Sequence, residues 1–364
     1  MRIRTRAALS GIFTVAVLMA GSSACTVKSS DEPAGNATKA SAKTGDGTAD
    51  LADGSGTKVA LVPGGAHPYF QPWKTAGAAA KKAHGLGDVT FDETAEWDQQ
   101  KQNNLISTLA ARGYNAFGVF GVSPTDINTT FADLKSQGFA VASLASCPAG
   151  GNNEADFCLS TNVEVAAYKA TKAAIEAMGG KGTLVHLTGN NVDANTQLRI
   201  QGVDKAVSES GGKVKLLQNI TDIDKDLQTA QKAVSDLLAA KGDQIQGIVA
   251  TAYNPAVAAA DAVTSTGSSA KVVAIDDDAK ILDSITKGSV AATVVQNPVG
   301  QAEVGAWVLA LLQSKQCTMR EPGVIVDSGS FVVTKADVAT YDADRKAKTE
   351  QLKKQFADEL LACN

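Results

Sequence analysis

Lys58-Val-Ala-Leu-Val-Pro-Gly-Gly-Ala-His-Pro-Tyr-Phe-Gln-Pro-Trp-Lys74 is the stretch of the 364-residue chain around which the rest arranges itself. Lys58 to Val62 is a short apolar run stopped by Pro63-Gly64-Gly65, the pattern of a buried strand ending in a tight turn. From Trp73 onward Ala76, Ala80 and Ala83 recur at helical spacing, so a helix is predicted next. His67, Pro68, Tyr69 and Phe70 therefore lie between the carboxyl end of a strand and a helix, the rim where open α/β sheets bind ligands. Adjacent aromatics in such a loop either plug the sheet end or line a cleft. In a chain with only 5% aromatics, the grouping of Tyr69, Phe70 and Trp73 favours the cleft.

Working outward, apolar runs and helical patterns alternate. Strands are predicted at Val89 to Phe91, Ala116 to Val122 and Phe139 to Leu144, separated by helices over Gln99 to Arg112 and around Ile127, Phe131 and Leu134. The second half repeats the scheme, with strands at Thr183 to Leu187, Val214 to Gln218, Gly247 to Thr251, Lys271 to Ile275 and Ser289 to Val295. Two sets of β-α units of similar size predict an α/β protein made of two similar, doubly wound parallel-sheet lobes with a cleft between their strand ends. Tyr341 to Leu361 reads as a charged amphipathic tail helix.

A net charge of −4 with interspersed acids and bases gives no sign of the basic face a nucleic-acid partner would need. Residues 1 to 25 read as an export signal: Arg2, Arg4 and Arg6, an apolar core from Ala7 to Ala20, then Gly21-Ser22-Ser23-Ala24 before Cys25. Small residues directly before a cysteine resemble the bacterial lipobox, although Ser22 stands where Leu is usual. Either Cys25 becomes a lipidated N-terminus or cleavage after Ala24 leaves a free thiol. The first is favoured, because a lone thiol is unexpected in an exported protein. Residues 26 to 56 carry almost no large apolar side chains and are predicted to be a flexible tether. The remaining four cysteines are expected to pair as Cys147 with Cys158 and Cys317 with Cys363.

Enzyme and cofactor signatures fail. Gly179-Gly180-Lys181-Gly182 precedes a strand instead of following one, as a dinucleotide or phosphate loop would not. Asp222, Asp224 and Asp226 lack the Gly and Glu of a calcium loop and read as acids at a helix N-terminus. His67, His84 and His186 are scattered. No cofactor or metal is expected. Two strand ends remain informative. Asp276-Asp277-Asp278 follows the strand ending at Ile275, with Asp276 facing the cleft and the other two expected as helix caps. Gln296 stands at the mouth of the strand ending at Val295. A carboxylate, an amide and facing rings suit a neutral, hydroxyl-rich ligand.

The order export signal, Cys25, tether, His67-Pro-Tyr-Phe70, then Val272-Val-Ala-Ile-Asp276 and Ala291-Ala-Thr-Val-Val-Gln296-Asn-Pro298, resembles the ribose-type (type I) periplasmic substrate-binding proteins of sugar ABC importers. The resemblance spans about residues 57 to 334. It implies that Tyr69 and Phe70 sandwich a sugar ring and that Asp276 and Gln296 bond its hydroxyls. It places His67 where a ligand-binding Asn stands, Asn162 near the first inter-lobe crossover and Arg199 in a segment that supplies a ligand-contacting Arg. Trp73, Ser146 and Asn254 complete the candidate set. The chain departs from the family at Ala145-Ser146, where an Asp-Arg clamp is usual, and at Ala252, where an Asn is usual beside Tyr253 and Asn254. This leaves a less polar, smaller or differently decorated ligand open.

The family path crosses between lobes three times, which predicts residues 57 to 160 and 297 to 327 in one lobe, and 161 to 296 with the tail 328 to 364 in the other. The implied protein is a monomer performing no chemistry, anchored by lipid to the outer face of the cytoplasmic membrane and delivering a sugar-like ligand to a membrane permease. Two alternatives stand beside it: a sensor passing its closed state to a signalling receptor, and an extracellular hydrolase using Asp276 with a second carboxylate.

Overall fold

The computed structural model describes residues 50 to 364 apart from 151 and 192; the expected export signal, Cys25 and most of the expected tether lie outside the described residues. The first lobe is built from β1 (Lys58–Val62), α1 (Gln71–His84), β2 (Asp88–Phe91), α2 (Gln99–Ala111), β3 (Ala116–Val119), α3 (Ile127–Ser136), β4 (Ala140–Leu144) and β5 (Phe157–Ser160). The second comprises α4 (Val163–Ala177), β6 (Gly182–Leu187), α5 (Ala194–Ser208), β7 (Val214–Ile220), α6 (Leu227–Lys241), β8 (Gly247–Ala250), α7 (Tyr253–Thr266), β9 (Lys271–Ile275), α8 (Ala279–Lys287) and β10 (Ala292–Val295). The chain then runs through α9 (Pro298–Gln313), β11 (Cys317–Met319), β12 (Val324–Asp327), β13 (Phe331–Thr334), α10 (Tyr341–Gln355) and β14 (Leu361–Cys363).

Two six-stranded sheets result, ordered β12-β5-β4-β3-β1-β2 and β13-β10-β9-β8-β6-β7. The first is parallel throughout, and the second is parallel except for β13, which runs antiparallel to β10. Strand alternation decides which helices cover which face. Val59 and Leu61 face α1 and α9, whereas Ala60 and Val62 face α2 and α3. In the second sheet Ile248 and Val272 meet α6, α7 and α8, while Val249 and Val273 meet α4 and α5. Both faces being covered, the strands read as continuous apolar runs.

The chain leaves the first sheet after Ser160, returns between β10 and α9, and crosses again between β12 and β13. Two expectations are corrected. The tail does not lie wholly with the second lobe, because Leu352, Phe356 and Leu361 are buried in the same core as Val59, Leu61 and Trp307. Its partner was hidden because this helix carries few apolar positions, and burying them beneath α9 outweighs solvating a charged helix. The tether also ends earlier than residue 56. Leu51 packs on the first lobe, Gln316 receives the amide of Ala52, and a Cβ on Gly54 would stand 2.3 Å from the carbonyl of His84. Disulfides join Cys147 to Cys158 and Cys317 to Cys363, the second across the β11–β14 pair.

Candidate functional site

The β1–α1 loop presents the first wall. His67 caps a single 3-10 turn over Pro68–Phe70, its Nδ1 accepting from the Tyr69 amide at 3.3 Å. That bond leaves the proton of a neutral ring on Nε2, which points across the cleft to Asp224 Oδ2 at 3.5 Å. Asn254 Nδ2 lies 3.4 Å from the same nitrogen but donates to the Asp224 carbonyl at 3.0 Å. The Asn254 backbone amide donates to Asp224 Oδ1 at 2.8 Å, so one acid of the second lobe organises both residues.

Behind the loop lies a cluster of rings. Phe70 is buried, with Trp73, Tyr69 and Phe120 at centroid distances of 5.0, 5.2 and 5.2 Å. Trp97 closes the cluster against His67 at 6.0 Å, yet its side is 43% exposed. Glu96 and Trp97 both adopt left-handed backbone, with φ of 55° and 58°, a strain held in place by surrounding contacts. Gly65 permits this: a Cβ there would stand 2.7 Å from the Trp97 indole nitrogen. Tyr253 brings a ring from the second lobe to within 5.7 Å of His67.

The opposite wall is made by strand ends of the second lobe. Asp276, the first residue beyond β9, is 5% exposed, and its Oδ1 accepts from Gln296 Nε2 at 2.8 Å. Burial pushes its carboxyl up to about 7; the Gln296 bond opposes this, Asp277 adds to it, and the charges of Arg199 and His67 oppose it. Burial likewise raises the Tyr69 phenol, with the charge of Asp276 contributing. The charge of Arg199 bears on Tyr69, His186, Asp193 and Asp276 alike, opposing the rise of the two carboxyls and the phenol and adding to the fall of the imidazole. Its Nε is buried without a hydrogen-bond partner.

The two lobes correspond at their central strand ends. Ala145 after β4 and Asp276 after β9 both have left-handed backbone, with φ of 64° and 66°. Asn195 of the second lobe donates to the Ala145 carbonyl at 3.3 Å, a second link across the cleft. Ser146 is buried beside it, and Cys147–Cys158 ties the following loop to β5.

Of the residues singled out from the sequence, the structure gathers His67, Tyr69, Arg199, Asn254, Asp276 and Gln296 about this cleft, with Ser146 and Phe70 at its first-lobe side. It does not gather two. Trp73 is fully buried in the first-lobe core and backs Phe70, because the helical repeat that begins at Trp73 is the inward face of α1. Asn162 is exposed and caps α4, its Oδ1 accepting from Val165 at 3.1 Å, since the first crossover runs directly into that helix. Asp278 caps α8 as expected, whereas Asp277 turns to Arg345 at 2.6 Å. Asp224, Trp97, Asn195 and Gln301 were not anticipated. Asp224 sat in an acidic run that does supply a helix cap at Asp226, and the other three stand in no recognisable motif. A hollow of about 940 Å³ lies elsewhere, lined by Gln231, Leu238, Ser265 and Lys271 on the outer side of the second lobe. None of the site residues borders it.

Residues 59–316 match the family model described as periplasmic binding protein domain. The chain belongs to this family. Members are binding proteins rather than enzymes and are extracytoplasmic or periplasmic in location. Among relatives of the binding-protein family, the chain is 24% identical over 251 residues to a D-apiose import binding protein of Actinobacillus succinogenes, covering 68% of this chain and 79% of that one. It is 25% identical over 204 residues to the D-xylose-binding periplasmic protein of Escherichia coli, covering 55% and 61%. A solved solute-binding protein of an ABC transporter from Burkholderia graminis, in complex with D-arabinose, superposes with a TM-score of 0.71 at 21% identity, covering 78% of this chain and 97% of that one. Among the described residues no helix is long and apolar enough to cross a membrane.

Proposed function

We propose that this chain captures a neutral monosaccharide between its lobes and delivers it, as a monomer, to the permease of an ABC importer, held at the outer face of the cytoplasmic membrane by a lipid on Cys25. The observation that carries the reading is the buried Arg199 Nε without a partner, within electrostatic reach of Asp276 and of the Tyr69 hydroxyl. A cation and an acid that offset each other, next to ring faces and amides, suit an uncharged ligand with several hydroxyls. The relatives' names point to D-apiose and D-xylose, both five-carbon sugars, and at the end of β4 small Ala145 and Ser146 stand with the Ala145 carbonyl already bonded to Asn195.

A thermal-shift screen over pentoses, hexoses, polyols, nucleosides and amino acids tests this. A binding sugar at one hundred times its Kd should stabilise by about 2.7 kcal/mol. Asp276→Ala should erase that shift, and an undiminished shift would remove Asp276 from the site. Cys25→Ser should free the protein from membranes; retention there would overturn the lipid anchor.

A further inference from the structure

Gln301 stands in the first turn of α9, just past the second crossing between lobes, and is fully buried. Its Oε1 accepts from the Tyr69 hydroxyl at 3.0 Å. Its Nε2 donates to Ser328 Oγ at 3.0 Å and approaches Thr161 Oγ1 at 3.5 Å, and those two hydroxyls lie 3.2 Å apart. Thr161 belongs to the first crossing and Ser328 to the third, so one amide touches segments of all three passages and the cleft residue Tyr69 as well.

We infer that Gln301 is a positioning residue that joins the ring of Tyr69 to the three hinge segments, so that filling the cleft and closing the lobes become a single event. The inference rests on the sugar-binding reading above. A buried amide with no access to water has only these partners, and each broken bond leaves an unsatisfied group. Tyr69 therefore cannot swing away without stranding Gln301 Oε1, and the hinge segments cannot twist without disturbing the Nε2 side. A sugar pressing on the Tyr69 ring shifts the balance between open and closed forms through that shared network, which is the physical requirement for coupling between a site and a two-state element. Ser328 also donates its backbone amide to the Ser160 carbonyl at 2.9 Å, which holds the first and third crossings together as one unit.

The test uses the full chain as Tyr69→Phe, Gln301→Leu and the double variant. Small-angle X-ray scattering of the ligand-free proteins reads lobe opening, and titration with D-xylose, D-arabinose and any sugar that stabilises the wild type reads affinity. Both single variants should shift the ligand-free curve toward a larger radius of gyration. Each should weaken sugar binding roughly tenfold, and the double variant should bind no worse than the weaker single, because both changes cut the same link. Scattering curves superposing on wild type, or affinity losses that multiply in the double variant, would overturn the coupling, even if Gln301→Leu melts earlier. Should Gln301→Leu fail to fold, Tyr69→Phe decides the matter alone, since it removes one oxygen and leaves the ring. A panel without any binder sinks the sugar reading, while the ligand-free scattering still decides the hinge.

Discussion

Asp276 carries opposing demands at a single position. To accept hydrogen bonds from sugar hydroxyls on both oxygens with full strength it must be ionised, yet burial favours its protonated form and pushes the carboxyl up to about 7. Below about pH 4 the folded and unfolded chains both hold this proton. Between there and about 7 the unfolded chain releases it while the folded one keeps it, so folding stability falls as pH rises through that window, by an amount on the order of 4 kcal/mol. Asp276→Asn removes the loss and should make the ligand-free protein more stable than wild type at pH 8, as read by denaturant titration. Binding has the opposite slope. Sugar affinity should rise up to tenfold per pH unit toward 7 and flatten above it, and calorimetric titration across that range checks the sign. A flat profile would mean that the carboxyl is not deprotonated on binding.

Among elements, the strand ends and their loops decide what reaches the cleft. β4 ends in Ala145-Ser146, and the disulfide from Cys147 to Cys158 in β5 shortens the freedom of the loop that follows. In the chain-entropy model, closing this loop stabilises by about 3 kcal/mol, and the longer Cys317–Cys363 loop by about 4 kcal/mol. Replacing either pair by Ala should lower unfolding free energy by up to those amounts. Loss of the first pair should weaken sugar binding as well, whereas loss of the second should leave binding intact; equal effects on binding would contradict the placement of the two loops. The entry to β1 is equally specific. Gly54→Ala places a methyl 2.3 Å from the His84 carbonyl, so the segment must move, and the melting temperature should fall.

Across the whole molecule, α10 makes a further passage between lobes beyond the three crossings. Near its start Arg345 and Tyr341 hold Asp277, the neighbour of Asp276, at 2.6 and 3.2 Å. Near its end Leu352 and Phe356 lie in the first-lobe core, Phe356 with its ring 5.3 Å from that of Phe157. Phe356→Ala should cost about 3–5 kcal/mol, read by denaturant unfolding, because a fully buried ring leaves a cavity. Arg345→Ala should cost far less, since both partners of its ion pair keep some contact with water, but it should shift scattering toward the open form.

Much of this was legible in residue order, because period-two strands and period-3.6 helices write their buried faces into local sequence. The run Val59-Ala-Leu-Val62 announces a strand covered on both sides, and an acid directly after Lys271 to Ile275 announces a group at a sheet mouth. Those signals are local and need only a few neighbours to read. The partners of Asp224, Asn195, Gln301 and the tail helix lie far away along the chain, at separations set by tertiary packing within and between the lobes rather than by any repeat. Trp73 and Asn162 show the same boundary from the other side, since each has a residue type suited to sugar and a location that only packing settles. Residue order thus settled two lobes, their rims and the acid at one of them; the assembled fold alone chose which side chains meet across the gap, because contacts between lobes leave no periodic mark in the chain.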